Sequence, residues 1–254
     1  MDKPLILVSN DDGYSAPGCA ALAAALAEFA DVVVVAPEQE QSAKSHAITL
    51  SSPLRHRLVS PGVHAIGGTP VDCVYAALFH ATLLPRKPDL VASGINHGPN
   101  LGMDIHYSGT VAAAREAAMR GVPAIAFSSL ARDVMPTAPI AAALCRRMLE
   151  AVKPDGQAPL FNVNFPKGDV LGVRATRLGA RHYAEGVDVR RDPRGREYFW
   201  IGGPGGVEHG DAEGSDTQAV DAGYASVTPL SIESTLTAHL GLAAYVAGLG
   251  VPHA

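Results

Sequence analysis

The sequence predicts an α/β protein: a mostly parallel sheet with helices on both faces. Three observations predict it. Leu5-Ile6-Leu7-Val8 and Val32-Val33-Val34-Val35 are wholly apolar runs with no polar alternation, as expected of strands buried on both faces. Ala/Leu-rich, helix-prone stretches separate such runs through the first half of the chain. The 254 residues are 47% hydrophobic, which is ample for one large core. Strands alternating with helices imply parallel pairing through right-handed crossovers.

The elements follow in order. After the first strand comes a polar loop over residues 9–16. Pro17 then stands where a helix would begin, because proline's fixed φ suits the first helical position. Residues 18–29 form that helix, and Asp31 leads into the second strand. A polar loop runs over 37–46. Gly67-Gly68-Thr69-Pro70 reads as a turn opening a helix over 71–81, and Pro88-Asp89 precedes a strand over 90–93. A long Gly/Asn loop spans 94–109, and Thr110 is placed to cap a helix over 111–120. A strand over 122–127 follows, then a helix over 140–152 and a strand over 160–164.

The second half has a different texture. Residues 173–201 are charged, with β-type pieces around the turn signal Asp192-Pro193-Arg194-Gly195, and are expected to form a protruding β-hairpin. Residues 202–214 are Gly-rich and expected to be mobile. A final strand closes the stretch 216–230, and 231–248 is expected to be a terminal helix. No internal repeat is visible.

Composition removes several function classes. The net charge is −5, which gives no bulk attraction for nucleic acid or an anionic membrane. Any bound phosphate has to be held locally. Cys19, Cys73 and Cys145 cannot pair completely and show no metal-ligand spacing, which fits a reducing compartment. The apolar run at residues 5–8 is too short for a signal peptide, and no segment is long and apolar enough to span a bilayer. A cytoplasmic protein is expected.

In an open parallel sheet, ligands bind outside the carboxyl ends of the strands. The loops leaving those ends are unusually polar: Ser9-Asn10-Asp11-Asp12-Gly13, Pro37-Glu38-Gln39-Glu40-Gln41-Ser42, and Ser93-Gly94-Ile95-Asn96-His97-Gly98-Pro99-Asn100. Asp11 and Asp12 are the sharpest feature. Two like charges at about 4 Å repel by roughly 4 kcal/mol at an effective dielectric near 20. Either one carboxyl is protonated, or a cation lies between them, or they point apart into water. A solvated Asp-Asp-Gly turn is the plain alternative, but the position after a short buried strand favours a site. Ser42 and Asn96 add a hydroxyl and an amide oxygen. An oxygen-only set suits a hard cation such as Mg²⁺ or Mn²⁺.

Phosphate-holding candidates come from the same loops. Ser108-Gly109-Thr110 opens a helix whose amino end favours an anion, and Gly68-Thr69 offers a second helix start. Asn10 and Asn100 lie in the strand-end loops beside them. His46, His97 and His106 also fall in site loops, whereas His80 and His239 are read as structural. A Gly-x-Ser-x-Gly elbow, a Walker phosphate loop and a dinucleotide-binding turn are all missing. An aspartyl-phosphate phosphatase would need an Asp-x-Asp spacing, which Asn10-Asp11-Asp12-Gly13 lacks. A non-catalytic nucleotide sensor is the competing reading from another class.

The motifs together resemble the SurE family, the stationary-phase survival proteins. The amino-terminal segment from Ile6 to Gly13 with Ala16-Pro17-Gly18 carries the first match. Val35-Ala36-Pro37 with Ser42, then Gly68-Thr69-Pro70-Val71-Asp72, carry the next two. Ser93-Gly94-Ile95-Asn96, with Gly98 to Gly102, and Tyr107-Ser108-Gly109-Thr110-Val111 complete the set. The match is dense over residues 5–127 and looser beyond. The resemblance implies a metal-dependent phosphatase acting on nucleoside 5′-monophosphates, often also on 3′-monophosphates and short polyphosphate. It implies one divalent cation per subunit held by Asp11, Asp12, Ser42 and Asn96. By charge, Asp11 and Asn96 are the candidate catalytic residues, Asp11 as base or nucleophile and Asn96 as a donor to the phosphate oxygens. The resemblance also implies a single domain over 1–254: a Rossmann-like core over about 1–130, a hairpin over about 173–201, and a carboxyl-terminal segment over about 216–254 used in homodimers or homotetramers.

Overall fold

The computed structural model describes residues 3–152, 158–184, 186–202, 206–210 and 212–248. Its centre is a nine-stranded sheet. In chain order the strands are β1 (Leu5–Ser9), β2 (Asp31–Pro37), β3 (His56–Ser60), β4 (Val63–Ile66), β5 (Leu90–His97), β6 (Ala124–Ser129), β7 (Leu160–Phe165), β8 (Val173–Ala175) and β13 (Ala225–Leu230). Between the last two lie β9 (Arg181–Tyr183), β10 (Val187–Arg191), β11 (Glu197–Ile201) and β12 (Val207–His209), which form two separate ribbons. The helices are α1 (Pro17–Ala27), α2 (Pro70–Phe79), α3 (Gly109–Met119), α4 (Ala138–Ala151), α5 (Asp216–Asp221) and α6 (Leu240–Ala247).

The sheet order is β3-β4-β2-β1-β5-β6-β7-β13-β8. Six of its eight neighbouring pairs are parallel; β3–β4 and β7–β13 are antiparallel. From β1 the chain adds β2 on one side and later returns with β5 on the other. The order therefore reverses between β1 and β5, and a crevice opens there at their carboxyl ends. Two apolar layers cover the sheet. One packs Leu22 and Leu26 of α1 with Ala141 and Cys145 of α4 around Ile6, Val8 and Phe127. The other packs Val74 and Ala77 of α2 with Ala113, Ala114 and Ala117 of α3 around Leu7, Val35 and Val91. Alanine dominates α3, so its backbone can lie close to the sheet.

Several expectations need correction. Residues 56–66 form a β-hairpin that has no counterpart in the sequence reading; every residue of β3 is exposed, so no buried face marks it. β5 continues through Gly94 and Asn96 to His97, shortening the expected loop. The cap of α3 is Ser108, whose Oγ accepts from the Val111 amide, and not Thr110. The hairpin expected over 173–201 is confined to β10–β11, because β8 joins the main sheet and β9 pairs with β12. β12 also gives structure to part of the Gly-rich stretch; residues 203–205 and 211 of it lie outside the described residues. The terminal helix is only eight residues long, and residues 233–248 are exposed throughout. No described helix is long and apolar enough to cross a membrane.

Candidate active site

The strand-end loops meet at the crevice between β1 and β5. Asp11, Ser42, Asn96, His97, Asn100, Asp104, Tyr107, Ser108 and Tyr183 are among the residues lining a cleft of about 250 Å³ there. Each loop is held by specific bonds. The Asn10 amide donates to the Gly13 carbonyl at 2.9 Å, and the Asp11 carbonyl accepts from the Gln41 amide at 2.7 Å. Gly13 turns the chain back with φ of +99°, a conformation that side chains resist. The loop after β2 is pinned to the segment before α3: the Ser45 hydroxyl donates to the His106 carbonyl at 2.6 Å, and its amide to the Tyr107 carbonyl at 3.0 Å.

Asp11 is buried against the amino end of α3. The Thr110 hydroxyl donates to its Oδ1, and the residue lines the cleft. Burial pushes its carboxyl up to about 6, with the Asp12 charge adding to the rise and the Thr110 hydrogen bonds opposing it. Gly109 makes this approach possible, since a Cβ there would lie 2.9 Å from the Asp11 Cβ. Asp12 is also raised, chiefly by burial; its Oδ2 accepts from the His97 amide at 3.2 Å. Asp12 is not among the lining residues of the cleft, unlike Asp11, Ser42 and Asn96.

The chemistry of this set suits a hard cation. Two carboxyls raised by burial carry charge that the chain does not balance, and Asn10 Oδ1 is buried beside them without a partner. The Asn96 Nδ2 donates to the Gly98 carbonyl at 2.8 Å, so the amide nitrogen is tied down and the oxygen is the end left for a ligand. The Ser42 hydroxyl donates to Glu40 Oε1 at 2.8 Å, which keeps its lone pairs available. Glu40 is thus a third carboxylate at the rim, one the sequence reading passed over although it stands two residues from Ser42. Asp12, Ser42, Asn96 and Asp11 are the residues that fit a cation; among the described residues no three His, Cys, Asp or Glu side chains are grouped so as to hold a metal ion by themselves.

The phosphate candidates divide. Ser108 lines the cleft, and Gly109 and Thr110 abut Asp11. Asn100 is a buried strut: its Nδ2 donates to Ser128 Oγ at 2.7 Å, and its carbonyl accepts from Asn162 at 2.7 Å and Asn164 at 3.1 Å. Gly68 and Thr69 are engaged elsewhere. The Thr69 amide and Asp72 Oδ2 are 2.8 Å apart, its hydroxyl donates to the Ala47 carbonyl at 2.7 Å, and the Gly68 amide donates to Ile66. Together Thr69 and Asp72 form a capping box, so the donors read as phosphate ligands cap α2 instead. His97 lines the cleft, and the His106 side chain is not among its lining residues.

His46 has a positioning role. Its Nε2 lies 2.9 Å from Oε2 of Glu116, a buried residue of α3, while Oε1 of Glu116 accepts from Arg120 at 2.8 Å. This ties the Ser42 loop to the helix that carries Thr110. The His46 bond, first, and the Arg120 bond hold the Glu116 carboxyl below its ordinary value. A depressed carboxyl stabilises the fold above the unfolded pKa, and the gain vanishes as pH falls through the folded value. Glu116→Gln is therefore expected to lower stability by about 2 kcal/mol at pH 7, the scale of a lost charged hydrogen bond. Thermal unfolding of both forms checks this. The gap has to narrow as pH falls through the folded value of Glu116; a gap that stays constant across the whole acid range rejects the ion-pair account.

Comparison with known proteins places the chain in a family. The sequence profile of the family described as "Survival protein SurE" matches residues 6–185. A "5'-nucleotidase SurE" of Sorangium cellulosum is 55% identical over 249 residues, 96% of each chain. One from Vibrio vulnificus is 46% identical over 248 residues, 95% of this chain and 94% of its own. The crystal structure of the SurE protein from Aquifex aeolicus superposes with a TM-score of 0.83 at 37% identity, covering 96% of this chain and all of that one. Similarity of this extent, running through the strand ends that build the cleft, makes the chain a member of the SurE family.

Proposed function

We propose that this protein is a divalent-metal-dependent 5′-nucleotidase that releases phosphate from nucleoside 5′-monophosphates, with 3′-monophosphates and short polyphosphate as further substrates. That it is a 5′-nucleotidase rests on relatives of that name, 46–55% identical over nearly their whole length. The observation that carries the chemistry is Asp11: a buried carboxyl, raised to about 6, beside Ser42 and Asn96 in a cleft at the start of α3. Asp11, Asp12, Ser42 and Asn96 would hold one Mg²⁺ or Mn²⁺. When bound, the cation supplies charge neutralisation for the phosphate dianion and a more acidic water.

The chain's own groups do the rest. The first turn of α3, from Ser108 to Thr110, would face the non-bridging oxygens, where charge accumulates as the ester breaks, while Asn96 turns its oxygen to the cation. Asp11, whose Oδ1 accepts from the Thr110 hydroxyl, takes the proton of the attacking water. Asn10 and Asn100 act behind this layer, fixing the two loops.

A phosphate-release assay tests the reading. The chelator-treated protein is expected to be silent, and added Mg²⁺ or Mn²⁺ to restore hydrolysis of 5′-monophosphates. Full activity in excess chelator, or no release from any nucleotide with any metal, rejects it.

Homodimers or homotetramers are the proposed assembly, in the cytoplasm, where the three buried thiols stay unpaired. β11 exposes Phe199, Trp200 and Ile201, the last at 94%, and α6 exposes Leu240, Leu242 and Tyr245. Such faces mark contact surfaces. Light scattering is expected to give a dimer or larger, and a chain ending at residue 230 a smaller species; a monomeric full chain rejects the assembly.

A further inference from the structure

The cleft has two walls of different origin. One wall, from Asp11, Ser42, Asn96 and Ser108, comes from the ends of the parallel strands and is polar. Tyr107, in front of α3, and Tyr183 of β9 also line the cleft, with Asp104 beside them. Among the described residues, β9 pairs only with β12, outside the nine-stranded sheet. Arg181 and Tyr183 stand two apart on this strand and so share a face.

Tyr183 is held in place. Its hydroxyl donates to Asp104 Oδ1 at 2.5 Å, while Arg181 pairs with Oδ2 of the same carboxylate. The Arg181 guanidinium also lies 5.2 Å from the centre of the Tyr183 ring. The ion pair is nearly buried, with side-chain exposures of 13% and 12%. Burial and the Asp104 carboxylate push the Tyr183 phenol up to about 12, so it remains a donor at any working pH. Yet Tyr183 itself is 52% exposed and Tyr107 68%. A fixed aromatic ring open to solvent in this cleft is available to a bound ligand.

The geometry of a phosphomonoester supplies the reason. Its phosphate has to lie against the polar wall, so its organic half leaves toward the tyrosines. We propose that Tyr183, braced by Asp104 and Arg181, stacks against the base of the nucleotide and determines preference for nucleotides over smaller phosphoesters. A flat base gains from the ring face, whereas a sugar phosphate without a base does not. Because the brace already fixes the ring, little side-chain freedom is lost on binding. The proposal rests on the nucleotidase reading and deepens it.

The experiment compares AMP with ribose 5-phosphate, which carries the same phosphate and sugar. Tyr183→Ala is expected to lower the ratio of kcat/KM for AMP over ribose 5-phosphate by about tenfold, the scale of one base–aromatic stack. The loss should fall on KM for AMP, with kcat changed little. Tyr183→Phe keeps the ring and should retain most of the ratio, and Asp104→Asn, which loosens the brace, should lie between the two. An unchanged ratio in Tyr183→Ala overturns the proposal, as does a wild type with no preference for AMP.

Binding of adenosine alone, followed by saturation-transfer NMR on the metal-free protein, reads the stack without turnover. It is expected for the wild type and lost in Tyr183→Ala; equal binding by both overturns the stack. If the wild type hydrolyses neither ester, the nucleotidase reading fails, and the adenosine measurement still decides the stack.

Discussion

Asp11→Asn is expected to lower phosphate release at saturating Mn²⁺ by about a hundredfold or more, the scale of a removed general base. The same variant should leave the fold intact and even raise the thermal midpoint of the metal-free protein. Both effects come from one cause. The Asp11 carboxyl is buried and raised to about 6, so its charge is held in the cleft at the expense of stability. Asparagine keeps the shape and the oxygen that accepts from Thr110, and it removes the uncompensated charge. A gain in stability with a loss of activity is the signature of a residue kept for function. A loss of activity together with a lower midpoint would point to a structural role. Activity close to wild type would dismiss Asp11 as base and as principal ligand alike. The Asp12→Asn variant separates the two carboxyls: Asp12 accepts from the His97 amide and has no part in the proposed proton transfer, so its loss should fall on metal affinity.

The parallel core was legible because its strands are buried on both faces. Leu5 to Val8 are all fully covered, and a continuous apolar run is what such a position requires. Asp11, Ser42 and Asn96 could be brought together on paper by one topological rule, that loops at the carboxyl ends of parallel strands converge. β3 was not legible, because His56-Arg57-Leu58-Val59-Ser60 forms an exposed edge strand and buries no face. The role of Thr110 was misread for a local reason: Ser108 stands two residues earlier and takes the cap, which frees the Thr110 hydroxyl for Asp11. For Gly68 and Thr69 a corrective signal was present. Thr69 and Asp72 stand three apart, the spacing of a capping box, and that arrangement engages the donors a phosphate would need. Asp104 and Tyr183 are 79 residues apart, and no periodicity joins them. Their meeting depends on how β9 folds back beside the segment 102–106, a tertiary fact written into no short stretch of sequence.

Gly18→Ala is expected to destabilise the protein by about 3 kcal/mol or more, at or beyond the upper end for overpacking. Helix propensity alone argues the opposite sign. Gly18 is the second residue of α1, and alanine is favoured over glycine in a helix by about 0.5–1 kcal/mol. The packing decides against it. A Cβ at Gly18 would lie 1.9 Å from the Ile95 carbonyl oxygen and 2.9 Å from its carbon. Both atoms are backbone, so no rotamer change relieves the clash; either α1 or β5 has to move. Ile95 directly precedes Asn96, so the displacement reaches the cleft, and the fraction that folds should also have weakened metal-dependent activity. For a chain of this size the thermal midpoint should drop on the order of ten degrees. Gly168→Ala is the matched control: nothing lies within 4 Å of a Cβ there, and its midpoint should stay near that of the wild type. Equal midpoints for the two variants would mean that α1 and β5 do not approach this closely. The glycine would then have no part in shaping the crevice where Asp11 and Asn96 meet.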